Sequence, residues 1–310
     1  MEFVHKSIMV AEILESLNIR PDGVYADATA GGGGHSHAIG EKLSSRGTLI
    51  SNDRDPEALQ VCKERLSNLD CNVTLIQGPF SDLAANAGRT FDGVLLDLGV
   101  SSYQLDCAER GFSYMHDAPL DMRMNPGDKL SAKEVVNEWS EEELTRIFFE
   151  YGEERHSRRI ASAIVRQRSV QPIETTGQLV SVIKSALPKG ALKEKQHPAK
   201  RVFQAIRIAV NDELEQVRQA LDALVENMND GGRIAVLTFH SLEDRIVKTA
   251  FARYEKPCTC PPEFPVCTCG KKSLGKVLVK GLAPTDEEIE ENPRARSTRL
   301  RVFERRIDEN

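Results

Sequence analysis

Asp27-Ala-Thr-Ala-Gly-Gly-Gly-Gly-His35-Ser36 sets four consecutive glycines between an acid and a histidine. Glycine lets a backbone approach a ligand closely and take positive φ, and the first amides of a following helix are donors without helical partners. Asp53 stands 19 residues beyond Gly34. A carboxylate at that spacing, on the end of the next strand, can accept hydrogen bonds from both hydroxyls of a ribose. A further acid, Asp97, closes the apolar run Val94-Leu95-Leu96. Burying a carboxylate there without a partner is costly, which marks it as functional. The glycine loop and Asp53 together predict a nucleoside-containing cofactor. A dinucleotide loop needs a third glycine for helix–strand packing, but that position is His37 when counted from Gly32 and Ser36 when counted from Gly31. NAD(P) is disfavoured on that ground. S-adenosylmethionine has no pyrophosphate, needs no third glycine and still uses the ribose acid.

Other constellations compete. Cys258, Cys260, Cys267 and Cys269 form C-x-C-x6-C-x-C, which suits a tetrahedral structural zinc, although C-x-x-C is the commoner spacing and a redox pair or no metal at all are the alternatives. His240-Ser241 with Asp244 lacks the order of a hydrolase nucleophile elbow; Ser241 is expected to cap the helix that follows, with His240 left to face a substrate pocket. His5 is expected on the surface. Phe80 by itself reads as a core aromatic and Gln104 as a loop residue.

The elements that must position these groups alternate. Strands are expected at 23–28, 47–52, 73–76 and 91–98, with helices at 37–43 and 56–66, the latter capped by Asp55 with Pro56 at its first position. Near-continuous apolar strands between helices imply a parallel sheet covered on both faces, a doubly wound α/β fold. From Tyr103 to Pro198 the alternation stops. A long loop gives way to helices, two of them opened by the capping boxes Ser131/Glu134 and Ser140/Glu143. One amphipathic helix is expected from Pro198 to about Met228, and strands resume at RIAVLTF, 277–279 and 300–303. The topology implied is an α/β domain, 1–103 with 199–310, interrupted by an all-helical insertion at 104–198.

Composition excludes several classes. The chain has 310 residues, one Trp and 5% aromatics, against an aromatic carbohydrate-binding surface. No apolar run approaches the roughly 18–20 residues of a membrane span. Seven cysteines, an odd number, disfavour a secreted disulfide framework; a cytoplasmic protein is expected. The net charge is -6, yet residues 155–210 carry twelve Lys or Arg against two acids, a local +10 that leaves −16 for the remainder. Arg294, Arg296, Arg299, Arg301, Arg305 and Arg306 form a second cluster. Clustered cations on an acidic chain point to a polyanion. Arg155, Arg158, Arg159, Arg166 and Arg168 are the candidates for phosphate contact, the alternative being a solvated helix face.

The segments DATAGGGGHS, NDRDPEAL, GPFSDL, GVLLDLGVSSYQLDCAERGFSYMHDAPLDMRM, QAIRIAVNDELEQV, FHSLEDRIVK and NPRARSTRLRVFER resemble, in order and over nearly the whole chain, the MraW/RsmH family. The resemblance implies a class I S-adenosylmethionine-dependent methyltransferase, a Rossmann-like doubly wound sheet with a helical insert after strand four. It implies transfer of a methyl group to the exocyclic N4 of a cytidine in the decoding centre of 16S ribosomal RNA, with naked RNA or the small ribosomal subunit as partner. It further implies that Gly33, Gly34 and His35 contact the methionine end of the cofactor, Asp53 the ribose and Phe80 the adenine, with Asp97 and Gln104 on the methyl side. Asp97 is then the acceptor or base for the amino group. Many enzymes that methylate exocyclic amines carry Asn/Asp/Ser-Pro-Pro-Tyr/Phe after strand four, whereas this chain has Asp97-Leu98-Gly99-Val100; the target atom rests on the resemblance. Tyr103, Phe112 and Tyr114 either stack on the target base or pack into a core. An oxidoreductase and an RNA-binding assembly factor with a vestigial cofactor site are the competing readings; the intact glycine loop, Asp53 and Asp97 speak against the second.

Overall fold

The computed structural model describes residues 7–194, 196–261, 266 and 268–307. The chain divides into two compact units, Met1–Gly99 with Leu214–Asn310, and Val100–Glu213. The first begins α1 (Val10–Leu17), β1 (Val24–Asp27), α2 (Gly34–Gly40), β2 (Thr48–Asp53), α3 (Pro56–Arg65), β3 (Asn72–Gln77), α4 (Leu83–Ala87) and β4 (Phe91–Asp97). The second holds α5 (Ser102–Asp106), α6 (Ala132–Glu138), α7 (Glu141–Glu150), α8 (Ser157–Val170), α9 (Thr176–Ala186) and α10 (Lys200–Asn211). The chain then runs through α11 (Glu213–Glu226), β5 (Met228–Thr238), α12 (Ser241–Glu255), β6 (Gly275–Leu282), α13 (Asp286–Glu291) and β7 (Arg299–Arg305).

The seven strands form one sheet in the order β3-β2-β1-β4-β5-β7-β6. The first five are parallel, and β7 runs antiparallel to both β5 and β6. The strand order reverses between β1 and β4, the switch point at which doubly wound sheets open a ligand crevice. This is the doubly wound α/β class expected from the sequence. Side chains alternate across a strand, so the apolar runs feed two cores. Val94, Leu96, Ile234 and Val236 enter one, and Leu95, Ala235 and Leu237 the other. Both faces of the central strands are therefore covered, which is why their sequences read as unbroken apolar stretches. Asp55 caps α3 by accepting from Glu57 N–H, and both serine capping boxes close as their spacing predicts.

The helical unit has its own core, built from Leu120, Val135, Leu144, Phe148, Ile160, Ile164, Leu179, Val202 and Ile206 among others. The single helix expected from 198 to 228 is two. Asp212 takes a left-handed conformation (φ 51), and the buried Asn211 accepts from Met124 N–H at 2.8 Å and donates to the Met122 carbonyl at 2.8 Å. These bonds fix the helix end inside the helical unit. The apolar stripe divides accordingly, Val202, Phe203, Ile206 and Val210 packing in the helical unit and Val217 in the sheet unit. The units therefore part after Gly99 and after Glu213, not at the expected 103/104 and 198/199. Gly111 (φ 71) needs to be glycine, since a Cβ would stand 2.3 Å from the Pro119 carbonyl oxygen. Among the described residues, no helix is long and apolar enough to cross a membrane; His5 lies outside them.

Candidate active site

Three acids end three adjacent parallel strands, Asp53 on β2, Asp27 on β1 and Asp97 on β4. The glycine loop leaves β1 and turns into α2 through Gly33, whose φ is 76 and whose Cβ, if present, would meet Cys62 Sγ at 3.1 Å and Cys62 Cα at 3.2 Å. A Cβ on Gly34 would stand 2.1 Å from Ser7 Oγ. Helix α2 starts at Gly34, three residues earlier than the sequence suggested. This is because the loop is held from both sides: Ala30 N–H donates to the Asn52 carbonyl at 2.8 Å and Gly33 N–H to the Ala30 carbonyl at 2.7 Å.

Asp53 is partly exposed. One oxygen accepts from Gly31 N–H at 2.8 Å and the other from Asp55 N–H at 2.9 Å, so each keeps a lone pair for a ligand hydroxyl. Burial lifts its pKa to about 6 against the pull of those two N–H donors. Asp27 is fully buried and accepts from Ser36 Oγ at 2.7 Å and Thr29 N–H at 3.2 Å; burial raises its pKa, with His35 and Ser36 opposing. His35 lies in the first turn of α2 with Nε2 3.5 Å from Asp97 Oδ2. Burial disfavours its charge, but the Asp97 carboxylate, with Asp27 and Glu288, outweighs burial and raises its pKa. Asp97 is held at its backbone, where its N–H donates to Thr29 Oγ1 at 2.7 Å. Its side chain is 27% exposed, yet Asp97 Oδ1 is itself buried and has no hydrogen-bond partner among the described residues. The site thus holds an acceptor that lacks a donor, beside an imidazole biased toward its cation.

Phe80 opens a 3₁₀ turn after Pro79 and packs partly buried against the sheet core. Gly78 N–H donates to the Asp53 carbonyl at 3.0 Å, fixing that turn to the tip of β2. Gly33, Gly34, His35, Asp53, Phe80 and Asp97 all belong to the sheet unit. Gln104 belongs to the helical unit, where its side-chain oxygen accepts from Ser101 N–H at 3.1 Å to close the capping box of α5.

Sequence reasoning passed over Thr29, Ser36 and Asn52. Asn52 is buried and donates to the Ala28 carbonyl at 2.9 Å and the Gly78 carbonyl at 3.1 Å, tying the loops after β1 and β3 together. All three lie inside the motifs quoted above, but small polar residues next to an obvious acid carry no separate signal in one sequence.

The remaining expectations sort by environment. Phe112 is buried in the helical core, and Tyr114 stacks on His197 (centroids 4.5 Å apart) and edges onto Phe203; both are packing residues here, while Tyr103 is 56% exposed. Arg155, Arg158, Arg159 and Arg166 line an open groove of about 490 Å³ with Glu141, His156, Ser157 and Ser162. Within α8, residues 159, 162 and 166 follow helical spacing, which puts them on one face, and Arg155 lies in the turn just before the helix. Arg168 departs from the group, because its Nη1 donates to the Val136 carbonyl at 2.8 Å and ties α8 to α6. In the C-terminal cluster, Arg301 is buried and bonds both carboxylate oxygens of Asp244 at 2.7 and 2.9 Å, and Arg305 donates to the Leu274 carbonyl. Asp244 is thereby held below the usual carboxylate range by Arg301. The cap of α12 is His240, not Ser241. Its Nδ1 accepts from Glu243 N–H, while Glu243 accepts from the N–H groups of Phe239 and His240. Cys258, Cys260 and Cys269 lie together on the connection between α12 and β6; Cys267 lies outside the described residues.

The groups here that could hold a ligand with ribose hydroxyls and an amino-acid end are the Asp53 carboxylate, the open backbone at Gly32 and the unpartnered Asp97 Oδ1 beside His35.

Residues 2–306 match the model of the MraW methylase family. Among curated relatives, ribosomal RNA small subunit methyltransferase H of Brevibacillus brevis is 52% identical over 310 residues, covering 98% of this chain and 99% of its own. The proteins of the same name from Heliobacterium modesticaldum and Clostridioides difficile are each 51% identical, with 98% of this chain and 99% and 100% of theirs covered.

Proposed function

Because the chain belongs to the MraW methylase family, we propose that it transfers a methyl group from S-adenosylmethionine to N4 of a cytidine in the decoding centre of 16S ribosomal RNA. The names of the curated relatives support small-subunit ribosomal RNA as the substrate. One observation carries the chemistry, a buried carboxylate oxygen of Asp97 with no donor, at the tip of the strand beside the topological switch.

The bound cofactor supplies an electrophilic methyl group on a sulfonium. The chain's own groups do the rest by positioning and by matching moving charge. Asp53 accepts from the ribose hydroxyls. The Gly33 turn and the first amides of α2 line the amino-acid end, with His35 beside them. Phe80, on its turn after β3, packs against the adenine. The amino group of cytosine is a poor nucleophile because its lone pair is delocalised into the ring. Asp97 accepts a hydrogen bond from that group as it pyramidalises and then takes its proton. The Thr29 hydroxyl fixes the Asp97 backbone, and His35 balances the carboxylate charge. The helical unit serves as the RNA-recognition domain, with Arg155, Arg158, Arg159 and Arg166 as phosphate contacts; the small ribosomal subunit or its RNA is the partner, in the cytoplasm.

The test is transfer of a labelled methyl group to small-subunit RNA, followed by mass spectrometry of nuclease digests. Label on a single cytidine N4 is expected. Label on carbon, on ribose or on no RNA at all would overturn the assignment.

A further inference from the structure

Methyl transfer makes no use of the cysteines between α12 and β6. The sulfur atoms of Cys258, Cys260 and Cys269 all lie within 4.8 Å of one another, and none of the three is in a disulfide. Two thiolates on one tetrahedral zinc stand about 3.8 Å apart, given Zn–S bonds of about 2.3 Å, so a small contraction brings these sulfurs to ligand spacing. The backbone around them suits thiolates. Thr268 N–H points at Cys260 Sγ at 3.4 Å, the outer-shell donor that stabilises a ligand sulfur. Gly270 follows Cys269 with φ 66, and no atom lies within 4 Å of where its Cβ would be. Glycine therefore serves the turn there and not the space. Lys271 Nζ donates to Thr259 Oγ1 at 3.3 Å, which keeps a cation on the same loop. Beyond the cysteines the chain is pinned again, Leu274 N–H donating to the Tyr254 carbonyl at 2.8 Å.

We propose that Cys258, Cys260 and Cys269 bind a structural zinc ion that closes the loop between α12 and the edge strand β6. As each S–Zn bond forms, the thiol releases its proton to solvent, and no electron is transferred. The ion takes no part in methyl transfer, whose acids stand on β2, β1 and β4, with β5 and β7 between them and β6.

The test uses the full chain, purified under reducing conditions without chelator. Elemental analysis is expected to find one zinc per chain, released by a thiol-modifying reagent. Cobalt(II) in its place should give the sulfur-to-metal charge-transfer and intense visible bands of a tetrahedral thiolate site. Cys258→Ser, Cys260→Ser and Cys269→Ser should each weaken zinc at least tenfold, whereas Cys107→Ser should not. The proposal is overturned if the reduced wild-type chain binds neither metal at micromolar concentration, or if the cobalt spectrum lacks thiolate bands. It is equally overturned if all three serine variants keep zinc as tightly as the parent. The wild-type spectrum decides the matter even where a variant fails to fold.

Discussion

Replacing Asp97 with asparagine separates chemistry from binding. The side chain keeps its size, and the bond from residue 97 N–H to Thr29 Oγ1 is unaffected because it is made by the backbone. What is lost is a charged acceptor with a buried oxygen awaiting a donor, and the partner of His35 at 3.5 Å. A hydrogen bond to a charged group contributes about 1.5–3 kcal/mol, and a placed general base about 10²–10⁴-fold in rate. The smaller end of the general-base range gives a loss of at least ~10²-fold in single-turnover methyl transfer, about 2.7 kcal/mol of barrier. Cofactor affinity should change only a few-fold, since Asp53 and the glycine turn are untouched. The His35 pKa should fall, because the Asp97 carboxylate is the main influence opposing its burial. The assay is rapid-quench transfer of labelled methyl with enzyme in excess over RNA, beside calorimetric titration of S-adenosylhomocysteine and an NMR titration of His35. An unchanged single-turnover rate refutes the role. A hundredfold loss of cofactor affinity at an unaltered rate reassigns Asp97 to binding.

Further outcomes follow from the same structure. Asp53→Ala removes the acceptor for Gly31 and Asp55 N–H and should weaken S-adenosylhomocysteine at least tenfold in calorimetry without altering RNA retention; equal affinity contradicts the ribose assignment. Burial lifts the Asp53 pKa to about 6, so its contribution to stability is largest below its unfolded value and is lost as pH rises through about 6. Ligand hydroxyls should favour the ionised form, so wild-type affinity should strengthen across that same pH range, an inflection that Asp53→Asn should abolish. Gly33→Ala adds both a strained φ of 76 and a Cβ 3.1 Å from Cys62 Sγ, whereas Gly88→Ala adds strain alone at φ 61 with open space around it. Urea denaturation should show about 1–2 kcal/mol lost at Gly88 and clearly more at Gly33, and equal losses would remove the packing argument. Arg158→Ala with Arg159→Ala should lower RNA affinity and reduce the magnitude of the slope of log K against log salt by about 0.7–0.9 per phosphate contact. Arg168→Ala should instead lower the melting temperature, since that side chain bonds the Val136 carbonyl.

Much of the sheet was legible because its signals are local. Apolar strands, the Asp55 cap and the Ser131 and Ser140 boxes each depend on residues a few positions apart, and each forms where its spacing predicts. The misreadings share a different origin. The helix at 198–228 has an unbroken amphipathic stripe, and what ends it is a buried Asn211 bonded to backbone almost ninety residues away. Arg301 and Arg168 count as cations in any sequence window, yet one is matched to Asp244 and the other to a carbonyl of α6. For Phe112 and Tyr114, where the residue types left base stacking and core packing both open, packing within the helical unit is what the fold adopts.

The amino-acid sequence alone determined the local features from which the proposed site is built, since glycine turns, strand-ending acids and a capped helix follow from short-range sterics and hydrogen bonding. The folded arrangement decided their condition. Only the order β2-β1-β4 sets the three acids side by side, and only burial at those tips lifts Asp53 and gives His35 a carboxylate partner. Strand order, burial and ion pairing all depend on contacts between segments far apart in the chain, and no local pattern encodes which of several like-charged groups will find a partner there.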